Sequence, residues 1–321
     1  MNTINWGIIG AGDVAEVKSG PAFNKVANSK LVAVMRRNTA KAKDFAERHN
    51  VPFWYDSVDD LLNNPEINAV YIATPPNTHL AIAKQCLAAN KLIYLEKPIT
   101  LNYQEAIELQ KIVEDTHKIV VAHYRRKLPA FAKVKELLEA NAIGKVQCAQ
   151  IHIFQAKENK IIAQTEDQWR LNPAVSGGGY FNDIAPHQID LLLNYFGEIE
   201  SFHGFATANE VNHVHDLVNG IVSFKSGVQF QGIWNFNANE NETKDECKIY
   251  GENGTITFSF YGEEVFLNHN GKQEVFTFKN PENIQYPMIE SAVNYFLGKG
   301  ENPCVLENGI KVMEIMDAFI K

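Results

Sequence analysis

Residues 4–15 read INWGIIGAGDVA: a short apolar run, then G-x-G-x-x-A at Gly10, Gly12 and Ala15, then a segment of helical character. A glycine triplet alone means little, but one that follows a strand and opens a helix at the head of an alternating domain fits a dinucleotide-binding loop. Gly10 would allow the tight turn, Gly12 would let the backbone approach a pyrophosphate, and Ala15 would let the helix pack closely on the strand. The helix N-terminus would offer N–H donors and the positive end of its dipole to the phosphates. A structural turn would use the same glycines, so the surrounding pattern carries the decision.

That pattern alternates. LVAVM (31–35), AVYIA (69–73), KLIYL (91–95) and KIVVAH (118–123) are continuous apolar runs bounded by polar, glycine or proline residues. Between them TAKAKDFAERH (39–49), THLAIAKQCLAAN (78–90) and YQEAIELQKIVED (103–115) carry apolar residues at helical spacing. Strands buried on both faces and alternating with helices predict a parallel, doubly wound α/β sheet, with ligands at the carboxyl ends of the strands. Beyond about residue 127 the strands alternate apolar and polar residues instead: VQCAQIHIFQA (146–156), GVQFQGIWNFNA (227–238), GTITFSFYG (254–262) and QEVFTFK (273–279), with turns at KSG, ENG and HNG. Helices are expected near 181–196, 288–297 and 309–320. The fold class is therefore α/β: a doubly wound nucleotide-binding domain over residues 1–125, then an α+β domain over 126–321 with a mainly antiparallel sheet.

The 321 residues, 45% hydrophobic and 21% charged, are enough for two cores. A net charge of −8 and a pI near 5.7 argue against a nucleic-acid surface. The four cysteines, Cys86, Cys148, Cys247 and Cys304, have no disulfide or metal-ligand spacing, so reduced thiols in a cytoplasmic protein without a metal are expected. No leader pattern opens the chain and no apolar window is long enough to span a membrane.

Several segments carry candidate chemistry. After LVAVM come Arg36 and Arg37, where a site for NAD typically has a carboxylate; guanidinium groups there favour a 2′-phosphate and hence NADP, unless both are simply solvated. ATPPNTH (73–79) and YLEKPIT (94–100) fall at strand ends, and Lys97, restrained by the following proline, is placed to meet a developing alkoxide, or is merely a solvated lysine. In SGGGYFNDIAPHQIDLL (176–192) Asp183 and His187 share a helical face. A proton-handling pair has that spacing, and so does a helix cap followed by a packed histidine.

GIIGAGDVA, ATPPNTH, LEKPIT, WRLNPAVSGGG and the Asp-x-x-x-His of NDIAPHQIDLL, in this order and spacing, resemble the Gfo/Idh/MocA oxidoreductases over nearly the whole chain. The resemblance implies an N-terminal Rossmann domain, a C-terminal domain with a large open sheet for substrate binding and oligomerisation, and hydride transfer between NADP or NAD and a hydroxyl or carbonyl carbon of a sugar or polyol. It implies Lys97, Asp183 and His187 as the catalytic set, with His187 exchanging the hydroxyl proton. Its motifs assign Gly10, Gly12, Asp13, Val14, Arg36, Arg37, Thr74, Pro75, Asn77, His79, Glu96 and Lys97 to the dinucleotide. Tyr124 stands where many relatives have an asparagine before paired arginines. Tyr124, Arg125, Arg126, Trp169 and Arg170 are accordingly expected at the substrate, with a specificity unlike the inositol enzymes. An NAD-dependent glycosidase of the same fold and a non-enzymatic dinucleotide sensor remain as alternatives. A homodimer or homotetramer is expected through the broad face of the second sheet, with Phe230, Trp234 and Phe236 as its apolar patch.

Overall fold

The run at the head of the chain forms β1 (Ile4–Ile9), with Ile4, Trp6, Ile8 and Ile9 wholly buried. The computed structural model describes residues 2–12, 15–157 and 168–321. Beside β1 lie β2 (Ser29–Met35), β3 (Phe53–Tyr55), β4 (Ala69–Ile72), β5 (Leu92–Leu95) and β6 (Ile119–Val121), all parallel, in the order β3-β2-β1-β4-β5-β6. The order reverses between β1 and β4, which opens the crevice used by ligands in doubly wound sheets. The helices Thr39–Arg48 and Tyr103–Ile112 start at Asn38 and Asn102, whose side chains accept the backbone N–H of Lys41 and Glu105 at 3.0 Å each. β3 has only three residues, and its Phe53 and Trp54 are exposed at the sheet edge.

Contacts join residues 281–313 to this first unit, and residues 126–280 with 314–321 form the second. The sequence places the whole tail in the second domain. The structure differs because the helix Tyr286–Phe296, with Ile289 and Val293 buried, lies against the helix Gly20–Lys25, while Phe296 meets Trp6 at 5.8 Å between ring centroids. An amphipathic pattern shows that a helix has an apolar face and not which sheet that face covers.

In the second unit, β7 (Val146–Phe154), β8 (Ile199–Ala208), β9 (His215–Phe224), β10 (Gln229–Asn235), β11 (Lys244–Gly251), β12 (Gly254–Phe258), β13 (Glu264–His269) and β14 (Lys272–Thr277) take the order β14-β13-β12-β11-β7-β10-β9-β8. The β7–β10 pair is parallel and the others antiparallel. One face is covered by the helix Tyr180–Phe196. Phe181 packs edge-on to Trp234 at 5.3 Å, and the Trp234 indole N–H donates to Gln188 Oε1. This corrects the oligomerisation patch: Phe230, Trp234 and Phe236 are 3%, 0% and 2% exposed and belong to the unit's own core. Alternation along β10 marks an apolar face but does not reveal that a helix of the same chain already occupies it. Among the described residues no helix is long and apolar enough to cross a membrane.

Candidate active site

In the first unit, the glycine loop hangs from β2. The N–H groups of Gly10 and Ala11 both bond the Met35 carbonyl, at 3.0 and 3.1 Å. Gly10 has φ +95°, and a Cβ there would meet the backbone and side chain of Thr74 at 2.8 Å, so only glycine fits. At Gly12 a Cβ would meet nothing closer, among the described residues, than the Gly10 carbonyl at 4.0 Å, which leaves room for a ligand against the backbone. Asp13 and Val14 lie outside the described residues. Ala15 is buried and begins a five-residue π-helical turn, Ala15–Ser19, followed by the α-helix Gly20–Lys25. The expected single helix is thus broken where Pro21, lacking an N–H, can only stand in a first turn.

Arg36 is half-buried and donates from Nη1 to the Ala11 carbonyl at 3.3 Å, which brings its guanidinium to the loop; Arg37 is exposed. The loop's shape and this cation fit a dinucleotide. Thr74 accepts from the Thr78 hydroxyl at 2.7 Å, Pro75 is half-buried and Asn77 is exposed. His79 is different: it is 1% exposed, with Nε2 2.7 Å from the Thr74 carbonyl and Nδ1 2.9 Å from the Pro98 carbonyl. Its ring ties the two motif loops together. Burial, the largest influence, pulls its pKa below the usual histidine value against the upward pull of those carbonyls.

Glu96 is buried and fully engaged. Oε1 accepts from the Tyr71 hydroxyl at 2.6 Å and from Gln285 Nε2 at 2.7 Å, and Oε2 accepts the Lys97 backbone N–H at 3.1 Å. Burial, and then the Glu96 charge, push the Tyr71 hydroxyl well above its ordinary pKa. Lys97 is half-buried at the end of β5. Tyr124 and Arg125 are both buried, the guanidinium 5.7 Å from the phenol ring.

In the second unit, Asp183, His187 and Asp190 line one face of the helix Tyr180–Phe196, at i, i+4 and i+7. Arg170 donates from Nε to Asp183 Oδ2 at 2.8 Å and lies 4.6 Å over the Trp169 ring. Arg126 grips Asp190 with Nε and Nη2 at 2.7 and 2.6 Å, the two side chains 9% and 1% exposed. Two residues expected at the substrate are therefore each tied to a carboxylate beside His187, which is itself buried within the chain. The turn before the helix is set by Ser176, whose Oγ accepts the N–H of Gly178 and Gly179 at 3.3 and 3.1 Å. Gly179 has φ +85°, and a Cβ there would strike Val214 at 2.6 Å. Among the described residues no group of three metal-ligating side chains comes together.

Gln285 and Tyr71 were missed from the sequence. Neither lies in a recognisable motif, and chain order gives no sign that Gln285 reaches Glu96, 189 positions earlier.

Residues 4–124 match the family model described as an oxidoreductase family with an NAD-binding Rossmann fold, and residues 131–257 match the GFO/IDH/MocA C-terminal domain. The chain is 54% identical over 318 residues to Oxidoreductase P35 of Formosa agariphila, covering 98% of each. Its fold is similar to a levoglucosan dehydrogenase solved with NADH and levoglucosan, at a TM-score of 0.89 and 20% identity over 99% of this chain and 96% of the other. It is similar also to KijD10, a 3-ketoreductase from Actinomadura kijaniata solved with NADP, at a TM-score of 0.84 and 19% identity over 99% and 97%.

Proposed function

Because the chain belongs to the GFO/IDH/MocA oxidoreductase family and is an NAD(P)-dependent dehydrogenase, we propose that it oxidises or reduces a CH–OH carbon of a sugar, polyol or related small molecule, with His187 as the acid–base group. The observation that carries this reading is the Asp183 carboxylate, fixed by Arg170 one helical turn from His187 behind a tight glycine turn. A packed core histidine would need no such neighbour. The levoglucosan named with the structural neighbour supports a carbohydrate substrate.

When bound, the nicotinamide supplies the hydride chemistry. The chain's own residues do the rest. Gly10 and Gly12 would hold the pyrophosphate, and Arg36 with Arg37 would take a 2′-phosphate, which favours NADP. His187 accepts the hydroxyl proton in oxidation and returns it in reduction. Asp183, anchored by a charge-assisted bond, orients that exchange, and Lys97 stabilises the oxygen as charge develops on it.

A sugar and polyol panel, followed by nicotinamide absorbance with each dinucleotide, identifies the substrate. On it, His187→Asn is expected to lower turnover by about two to four orders of magnitude while dinucleotide affinity and melting temperature hold. A lowered melting temperature with turnover per folded molecule preserved would return His187 to a packing role.

A further inference from the structure

We propose that Gln285 is a positioning residue for Lys97, acting from the C-terminal segment of the first unit through the buried Glu96 carboxylate. The inference rests on Lys97 acting at the reacting oxygen. Gln285 is fully buried and makes a closed set of bonds: Nε2 donates to Glu96 Oε1 at 2.7 Å and to the Tyr71 hydroxyl at 3.3 Å, and Oε1 accepts the Tyr94 hydroxyl at 2.9 Å. The other carboxylate oxygen of Glu96 takes the Lys97 backbone N–H at 3.1 Å. One rigid planar group thus has an oxygen on Gln285 and an oxygen on the lysine's own backbone.

The consequence is mechanical. A carboxylate can rotate about its Cγ–Cδ bond, and rotation would withdraw Oε2 from Lys97. The planar amide of Gln285, itself pinned by Tyr94, resists that rotation. Beyond Lys97 the chain is held by His79 on the Pro98 carbonyl, so the lysine lies between two buried anchors. A site group displaced by about 1 Å can lose roughly a hundredfold in rate. Gln285 is thereby coupled to chemistry that it does not touch.

The test is a double-mutant cycle of Gln285→Leu and Lys97→Ala in the intact chain, with kcat, substrate KM, dinucleotide affinity by calorimetry and hydrogen exchange of the residue-97 amide by NMR. Gln285→Leu is expected to lower kcat by about ten- to a hundredfold with KM and dinucleotide affinity changed by less than about threefold, and to speed exchange of that amide by about tenfold or more. With Lys97→Ala already present, Gln285→Leu should cost no further turnover, because the two act as one. Additive losses, or an unchanged amide, overturn the proposal while leaving Lys97 in place. Full turnover in Lys97→Ala alone removes the lysine's role and the proposal with it. If Gln285→Leu does not fold, Tyr94→Phe, which deletes only the hydroxyl on Gln285 Oε1, enters the same cycle under the same criteria.

Discussion

Arg36 is fixed at both ends. Its backbone N–H bonds the Tyr55 carbonyl at 3.1 Å, and one guanidinium nitrogen bonds the Ala11 carbonyl at 3.3 Å. A guanidinium has five N–H donors in a planar fork, so one bond to the loop leaves donors for a phosphate oxygen. NADP(H) should therefore bind more tightly than NAD(H) in calorimetric titration. Arg36→Asp should narrow or invert the gap, by about tenfold or more, since a carboxylate repels the 2′-phosphate. Equal affinities in the parent protein would dismiss the preference. His79 shows the limit of reading residues by motif. The motif sets it beside Thr74 and Asn77, yet its ring is enclosed between two carbonyls while Asn77 is open to solvent. Motif membership records that a position matters and not whether it meets the ligand or holds the loop that does.

The helix Tyr180–Phe196 was legible because its apolar residues recur at helical spacing and glycines precede it. Its partners were not. The resemblance sets Arg126 at the substrate, and no residue pattern announces that it closes bidentately on Asp190 with both side chains nearly buried. Arg126→Met removes two charge-assisted bonds from a carboxylate that is nearly out of water, so it is expected to cost about 3–5 kcal/mol in urea unfolding. Arg126→Met with Asp190→Leu should recover much of that loss. A cost below about 1 kcal/mol, the range of an exposed pair, would count against a buried clamp. Strands follow the same logic. β1, β2, β4, β5 and β6 are continuous apolar runs and could be read directly. β3 is three residues long, too short for any period to show. β8 has a single buried residue among ten, and β11 begins Lys-Asp-Glu and alternates only over Cys247 and Ile249, so each shows too little of the apolar alternation that marks a half-buried strand.

At the scale of the whole molecule, the sheet of the second unit has two faces with different fates. Along β10, Phe230 and Trp234 turn to the chain's own helix. The opposite face of the neighbouring strands presents Phe205, 69% exposed, and Ile221, 54% exposed. The registers place them together: His203 lies opposite Ile221, Phe205 opposite Asn219, and Asn219 opposite Ile233, all on one surface. Large apolar side chains left this open on a broad sheet favour association, and a self-complementary patch closes most simply about a two-fold axis. We therefore expect a homodimer or a tetramer built from dimers, resting on Phe205 and Ile221 and not on the aromatic residues of the covered face. Light scattering at micromolar concentration should show the oligomer, and Phe205→Glu with Ile221→Glu should reduce it to monomers with unchanged circular dichroism. Phe230→Glu supplies the contrast, because a carboxylate on the covered face has no solvent to reach and should unfold the unit rather than merely separate subunits. A parent protein that scatters as a monomer would show that the open face is tolerated without a partner.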